Sequence, residues 1–438
     1  MHSFNYKIVI FLMGILLLFN GCLMLISSLV SFFYKDGVTF EITLSSFFVL
    51  SLGALFMLFG RQHEKQIQKR EGYVIVTLGW MMMTISGMLP FIFTNSMVDI
   101  SSTFFETMSG YTATGATILT DIESLPSGIL FWRSMTHWIG GMGIIVLAVA
   151  ILPLLGIGGI QLFSAEAPGP NNDKLHPRIT DTAKRLWLIY VFFTFLEAIL
   201  LSFAGMSIFD AVNHAMSTMA SGGFSTKNNS LAYWNHLPLV HYIIILFMFL
   251  AGTNFVLSYF ALTGKFKKVL DDNEFVTFLA FVIIFSLIVF LVIYNSVDLN
   301  NSFFDFPQVF GKLEGSIRHA LFQVLAIITT TGFVTSDYTA WTPFLTVFFF
   351  GLMFLGGSAG STSGGIKVVR HLLMIKGGIL EFKRALHPNA IIQPRYNGKI
   401  VNQEIIGNIL AFFILYMISF IVGLSLIHIS EPTRRITI

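Results

Sequence analysis

Nine apolar stretches, each near the length that a helix needs to cross a bilayer, constrain this chain more than any other feature. A transmembrane helix takes about 20 predominantly apolar residues. The stretches cover residues 8–33, 42–60, 72–94, 131–157, 183–205, 239–263, 275–295, 341–372 and 404–429. We therefore predict an all-α polytopic membrane protein. The first stretch exceeds the roughly 7–15 residues of a signal-peptide core, so we expect it to remain as a span.

Composition agrees with exposure to lipid and argues against several functions. Of the 438 residues, 55% are hydrophobic and 11% are charged, whereas soluble domains carry about 25% charged residues. The net charge of +3 is too small to indicate a nucleic-acid partner. Cys22 is the single cysteine, which leaves neither a disulfide nor a thiolate metal site. The spans carry no clustered His, Asp and Glu residues, so we predict that the protein is not an enzyme and uses no cofactor.

Basic residues predict the orientation of the spans. Lysine and arginine follow the second, fourth, sixth and eighth stretches, among them Arg61, Lys174, Lys265 and Lys376. Cytoplasmic connections of membrane proteins carry an excess of these residues. We therefore predict that these connections and the N-terminus are cytoplasmic.

Three outer connections repeat one pattern, at residues 104–119, 210–226 and 318–337. Each contains an apolar segment of about a dozen residues, too short to cross a bilayer, and then a loop of small residues. Alignment on glycines superimposes Thr112-Ala113-Thr114-Gly115, Met219-Ala220-Ser221-Gly222 and Thr329-Thr330-Thr331-Gly332. The unit of span, short helix, small-residue loop and span therefore occurs three times.

Loops of this kind suit a cation. Non-helical backbone at membrane depth is tolerated only where it is buried in protein or lines water. Glycine permits the positive φ that keeps carbonyl groups turned inward, and converging carbonyls can replace the hydration shell of a cation. The C-terminal ends of the short helices would add partial negative charge near the ion. We interpret the loops as filter strands around a pore, and packing of small residues between helices is the alternative for any single copy.

A second unusual segment interrupts the eighth stretch at residues 356–365, with five glycines in ten residues. Glycine costs about 1 kcal/mol relative to alanine inside a helix, so we predict that the helix breaks here. The sequence Gly365-Ile366-Lys367 does not supply the Gly-Lys-Ser/Thr ending of a phosphate-binding loop. A glycine patch for helix packing remains an alternative.

Several polar residues in the spans and short helices have both structural and functional interpretations. Three histidines lie in or beside the repeats: His137, His214 and His319. Without carboxylates at ligand spacing, we expect them to pair with backbone or water and not with a metal. Glu106 could attract cations to the pore mouth or act as a structural hydrogen-bond acceptor. Glu197 is an intramembrane acid and therefore a candidate functional residue, although burial against a neighbouring helix explains it equally well. The basic run 383–399 is a solvated cytoplasmic loop or a docking segment.

The chain resembles the TrkH/TrkG potassium-uptake proteins of the Trk/Ktr/HKT superfamily. The resemblance lies in the sequences SGYTATGATIL and STMASGGFST of the repeats and in FLGGSAGSTSGGIKVVR at 354–370. The resemblance covers residues 1–425. It implies two leading helices followed by helix–pore loop–helix repeats around one pseudo-fourfold pore. It assigns the potassium-binding filter to Thr112, Ala113, Thr114, Gly115, Ala220, Ser221, Gly222, Gly223, Thr330, Thr331, Gly332 and Phe333. The glycines equivalent to the family's filter glycine would be Gly115, Gly222 and Gly332.

The resemblance also implies a function and partners. Potassium would enter through a channel-like pore in the cytoplasmic (inner) membrane of a bacterium, and a sodium- or proton-coupled potassium symporter is the alternative. An intramembrane gating loop would include Gly356, Gly357, Gly360, Ser361, Gly364 and Gly365. A homodimer and a cytosolic, nucleotide-binding regulatory subunit of the TrkA kind are the implied partners, besides membrane lipid.

We divide the chain accordingly into consecutive regions. These are two leading helices at 1–71, pore repeats at 72–160, 161–271 and 272–400, the first helix of a fourth repeat at 401–425, and a tail at 426–438. The tail places Arg434 and Arg435 on the outer side, against the positive-inside bias. A four-sided pore needs four filter strands and this chain supplies three, so we expect the fourth repeat to be incomplete in this sequence and the tail to be non-native. A three-repeat protein completed by another chain is the alternative.

Overall fold

The computed structural model describes residues 4–61, 69–141, 143, 179–297, 310–387, 393–401 and 403–430. The helices are α1 Tyr6–Tyr34, α2 Thr39–Gly60, α3 Lys69–Gly87, α4 Leu89–Phe93, α5 Ile100–Tyr111, α6 Ser127–Gly141, α7 Ile179–Phe203, α8 Ile208–Met219, α9 Pro238–Gly252, α10 Phe255–Leu262, α11 Phe266–Leu270, α12 Asn273–Ser296, α13 Gly311–Ile328, α14 Pro343–Leu352, α15 Val368–Leu386 and α16 Gln403–Ser430. Two short 3-10 turns cover Ser230–Trp234 and Tyr338–Ala340. One antiparallel hairpin pairs β1 Arg395–Tyr396 with β2 Lys399–Ile400.

The helical, multi-pass architecture agrees with the prediction. In the described ranges, six helices are long and apolar enough to cross a bilayer, and a bent pair makes seven. The eighth predicted stretch breaks after α14, as its glycines predict. The predicted fourth span beyond residue 143, the repeat boundary at 160 and residues 431–438 lie outside the described residues. Helix α16 continues through residues 426–430, past the predicted start of the tail.

The two leading helices pack closely because glycines line their contact. A Cβ on Gly14 would lie 2.8 Å from the carbonyl oxygen of Gly53, and one on Gly60 would lie 2.6 Å from the backbone nitrogen of Phe11. Small residues let two backbones approach where lipid offers no hydrophobic driving force between helices. The buried face of α1 then forms one cluster with α3 and α6, including Leu17 and Trp132.

Helices α5, α8 and α13 precede the three predicted filter loops, and we call them the pore helices. Helix α13 has 18 residues and is longer than the predicted dozen. The Asp99 side chain caps α5 by accepting from the Ser102 N–H at 2.7 Å, and Ser207 caps α8 by accepting from the Asp210 N–H at 3.1 Å. These caps satisfy backbone donors that a helix start leaves unpaired. The hydrogen bonds from Ser102 lower the pKa of Asp99, which lies before the helix, so the cap stays ionised. Each of the three helices ends at one of the predicted filter loops.

Candidate functional site

The three filter loops follow the same backbone path. Each pore helix is followed by a C-cap residue in the right-handed helical conformation. The first and the third residue after this cap both have positive φ. These pairs are Ala113 (51°) with Gly115 (74°), Ser221 (54°) with Gly223 (82°), and Thr330 (56°) with Gly332 (79°). Only a few per cent of non-glycine residues adopt positive φ. The repetition of this conformation at Ala113, Ser221 and Thr330 therefore shows that the loops are structural equivalents.

The backbone corrects one predicted residue. Gly223, and not Gly222, occupies the position of Gly115 and Gly332, because Gly222 lies between the two positive-φ residues of its loop. Gly222 is a glycine for a different reason: a Cβ there would overlap the His137 ring. The dipeptide Gly-Phe at 223–224 and 332–333 is the sequence signal that gives the correct alignment.

Neighbouring loops contact each other through the equivalent glycine. A Cβ on Gly115 would overlap the carbonyl oxygen of Gly222, and a Cβ on Gly223 would overlap the carbonyl oxygen of Thr331. Gly222 and Thr331 are themselves equivalent residues. The same contact therefore joins the first loop to the second and the second to the third, as rotation about a common axis would produce. The structure thus brings the three predicted filter segments together.

The two flanks of this three-loop arrangement are open within the described part of the chain. No described atom lies within 4 Å of a Cβ on Gly332. Gly332, Thr112 and Thr114 are exposed, whereas Ser221 and Gly222 of the middle loop are buried. The middle loop is therefore enclosed by its two neighbours.

Polar side chains of the pore helices hold the chain that leaves each of the first two loops. The Glu106 carboxylate accepts from the Thr117 hydroxyl and the Ile118 N–H, each at 3.0 Å. His214 Nε2 lies 2.9 Å from the Ser225 hydroxyl. Glu106 and His214 each stand nine residues before the equivalent glycine, and their hydroxyl partners stand two residues after it. We call these two contacts the filter braces.

The structure decides between the two interpretations of Glu106. Its side chain is fully buried and pairs with Arg133 of α6, with Nε and Oε1 2.6 Å apart. Glu106 is thus a structural acceptor and not an exposed attractor at the pore mouth. Arg133 was not recognised in the sequence. It also donates to the Ser225 carbonyl at 3.1 Å and lies 3.4 Å above the Phe224 ring. The signal that could have found it is a lone arginine in an apolar stretch.

The histidines pair with protein groups. His137 Nδ1 lies 3.0 Å from the Ser217 hydroxyl, and its ring stacks on Phe224 at 3.8 Å. His319 Nδ1 lies 2.8 Å from the Thr335 hydroxyl. No group of three or more His, Cys, Asp and Glu residues that could hold a metal occurs in the ranges described above.

The glycine-rich segment 356–365 lies directly against two of the filter loops. The Gly364 N–H donates to the Thr330 hydroxyl at 2.6 Å, and the Thr362 and Ser221 hydroxyls are 2.9 Å apart. Ser221 and Thr330 are the equivalent positive-φ residues of the second and third loops, two residues beyond the ends of their pore helices. The segment therefore contacts the same point of the second and third loops.

The glycine-rich segment also explains why the sixth predicted span, 239–263, is broken into two helices and is not one continuous helix. The helix axis bends by 112° between α9 and α10. The carbonyls at the end of α9 accept hydrogen bonds from the segment and not from a further helical turn. The Ser358 N–H donates to Gly252 O at 2.8 Å, and the Thr362 N–H donates to Ala251 O at 3.3 Å. The Asn254 side chain then caps α10. A broken helix is tolerated at membrane depth when neighbouring groups satisfy its free ends.

The comparisons with known proteins agree with this architecture. The sequence model of TrkH, described as a cation transport protein, matches residues 38–435. The Trk system potassium uptake protein TrkH of Escherichia coli K12 is 41% identical over 423 residues, covering 96% of this chain and 85% of that protein. TrkG of the same strain is 35% identical over 422 residues, covering 95% and 84%.

A solved structure shows the same fold. The crystal structure of the potassium transporter TrkH from Vibrio parahaemolyticus matches with a TM-score of 0.84 and 34% identity, covering 98% of this chain and 86% of that one. The predicted family and the all-helical membrane fold are thereby confirmed. The chain belongs to the TrkH family of cation transport proteins, and it is therefore a membrane transporter and not an enzyme.

Proposed function

We propose that this protein takes up potassium through a pore lined by the three filter loops, in the cytoplasmic membrane and with a cytoplasmic N-terminus. The observation that carries the proposal is the repeated contact from glycine to carbonyl between successive loops. It brings backbone carbonyls of equivalent residues to one region, and carbonyl rings can replace the hydration shell of potassium. The names of the relatives, which are potassium uptake proteins, support the choice of ion.

Transport of this kind needs no bound nucleotide. Moving one charge through 100 mV is worth about 2.3 kcal/mol, so the membrane potential alone drives accumulation. The test is potassium flux into liposomes that contain the purified protein. Flux that is unchanged by sodium or proton gradients supports the channel-like mechanism, and flux that requires either gradient contradicts it.

Proton-coupled symport is the second candidate, and Glu197 is the observation that favours it. This acid is fully buried within α7 and faces Thr218 of the second pore helix. Buried intramembrane acids are frequent proton carriers. Symport predicts that Glu197→Gln abolishes the dependence of potassium flux on the proton gradient, whereas a channel shows no such dependence in either protein.

We further propose that segment 356–365 obstructs the pore and that a cytosolic, TrkA-like nucleotide-binding subunit moves it, in a homodimeric assembly. The hydrogen bonds to Ser221 and Thr330 support the position of the obstruction, because these residues belong to the second and third filter loops. The Trk-system names of the relatives support a multi-component system.

Deletion of residues 359–363 should raise the basal potassium flux several-fold and reduce its dependence on the regulatory subunit. The deletion removes the Thr362 contacts with Ser221 and Ala251. The measurement is flux in liposomes with and without the subunit. A deletion variant that is monodisperse in detergent and has wild-type flux and regulation would show that the segment only packs helices.

A further inference from the structure

Glu274, in the first turn of α12, binds one residue within the glycine-rich segment and one residue that follows it. Its side chain is buried, with 4% of the residue exposed. Oε1 accepts from the Ala359 N–H at 2.6 Å and from the Val369 N–H at 3.2 Å. Ala359 lies in the segment, and Val369 lies in the first turn of α15, the helix that follows it. One carboxylate oxygen therefore joins the two sides of the segment and fixes both to α12.

The cytoplasmic hairpin is bound to the same turn of α12. The Tyr396 hydroxyl donates to Glu274 Oε2 at 3.4 Å. Asn397 of the hairpin binds the two residues that precede Glu274. Its Nδ2 donates to the Asp272 carboxylate at 2.7 Å, and its Oδ1 accepts from the Asn273 N–H at 2.9 Å. Hairpin and glycine-rich segment thus share one acidic anchor.

Apolar packing strengthens the same connection. Tyr396 and Val401 pack with Val369 and Leu373 in one buried cluster, and Ala359 packs against its edge. Just after the segment, the Lys367 ammonium donates to the Ser363 carbonyl and lies 3.4 Å from the Ser361 carbonyl. The segment is therefore held on one side by the partly buried Lys367 ammonium and attached to α12 by the buried Glu274 carboxyl group.

We propose that Glu274 is the positioning residue of the gate: its carboxylate holds the glycine-rich segment against the filter loops and transmits displacement of the hairpin to it. The inference rests on the gating function proposed above. Removing the carboxylate leaves the Ala359 and Val369 N–H groups buried without this acceptor. Because a buried donor without a partner is costly, the equilibrium shifts towards a conformation in which water satisfies these groups.

Three variants grade the effect. Glu274→Leu removes both acceptors, Glu274→Gln keeps one oxygen and loses the charge, and Tyr396→Phe removes only the contact with the hairpin. Glu381→Gln is the matched control, because Glu381 is an exposed acid on α15 that pairs with Arg384. We expect Glu274→Leu to raise basal potassium flux about tenfold, equivalent to about 1.4 kcal/mol in the closed–open equilibrium. Glu274→Gln should give a smaller rise and Glu381→Gln none.

Thiol labelling supplies a second readout, the accessibility of the segment from the cytoplasm. A purely structural role of Glu274 would not change the labelling rate in parallel with the flux. In a Cys22→Ser background, Ser361→Cys should react with a cytoplasmic, membrane-impermeant thiol reagent faster when Glu274→Leu or Tyr396→Phe is added. The deletion of residues 359–363 separates the two hypotheses. If the deletion raises flux but Glu274→Leu leaves flux and labelling at wild-type levels, the role of Glu274 is refuted and the gate stands. If neither change raises flux, the gate itself is refuted, and the role of Glu274 with it.

Discussion

Gly115→Ala and Gly223→Ala should each abolish selective potassium uptake, whereas Gly332→Ala should have a milder effect. All three glycines have positive φ, where an L-residue costs about 1–2 kcal/mol. At Gly115 and Gly223 the added methyl group would also overlap a carbonyl oxygen of the next loop. The backbone must then move, and the carbonyls that would coordinate the ion move with it. The measurements are growth of a potassium-uptake-deficient bacterium at low potassium and the potassium-to-sodium permeability ratio.

Gly264→Ala is the control for backbone strain alone. Gly264 has a φ of 75° in an exposed turn, and no described atom lies within 4 Å of a Cβ placed there. It therefore reproduces the strain without the contact between loops. Uptake and selectivity in Gly115→Ala that match those of Gly264→Ala would show that the glycine-to-carbonyl contact has no part in conduction.

Glu106→Leu should destabilise the protein strongly, and adding Arg133→Met should restore much of the stability. Breaking a buried ion pair from one side costs about 3–5 kcal/mol because it leaves a charge without its partner, whereas replacing both partners with apolar residues is often neutral. The pair is almost completely buried here. The measurement is the midpoint of thermal unfolding in detergent. The exposed pair Glu381–Arg384 is the control, since such pairs contribute about 0–1 kcal/mol.

The double variant also tests the filter brace. With Glu106 replaced, Thr117 and Ile118 lose the acceptor that holds the chain beyond the first loop. We therefore expect the double variant to be stable but to discriminate less between potassium and sodium. A double variant with wild-type stability and wild-type selectivity would show that the brace does not position the filter.

Regular patterns in the sequence located the apolar helices and the three similar loops, whereas the local backbone geometry could not be read from these patterns. Hydropathy found the helices because each one must bury or face lipid over a fixed length. The sixth span was predicted as one helix because Thr253 and Asn254 are ordinary residues in an apolar run. Its break depends on hydrogen bonds from a segment more than 100 residues away, and tertiary contacts of this kind leave no local signal.

The candidate site shows the same division. The loops could be located by composition, but the tandem Gly222-Gly223 left two possible registers. The φ values select the register in which Gly223 is equivalent to Gly115 and Gly332. Arg133 and Glu274 do not belong to the pattern that recurs in the three repeats, so the repeats do not identify them. Their importance follows from their burial beside particular partners. Repetition therefore predicted which segments matter, and the structure was needed to show which single residues hold them.

The hydrogen bonds between the glycine-rich segment and the end of α9 have a consequence for hydration. In the present conformation, the carbonyls of Ala251 and Gly252 are satisfied by Thr362 and Ser358. Withdrawal of the segment would free both sides of these bonds, and only water could then satisfy them at membrane depth. If the segment is the gate proposed above, the conducting state would therefore hold more water than the closed one. Solutes too large to enter the cavity would extract this water and favour closure, which would make the transporter responsive to osmotic pressure through the same few carbonyl groups.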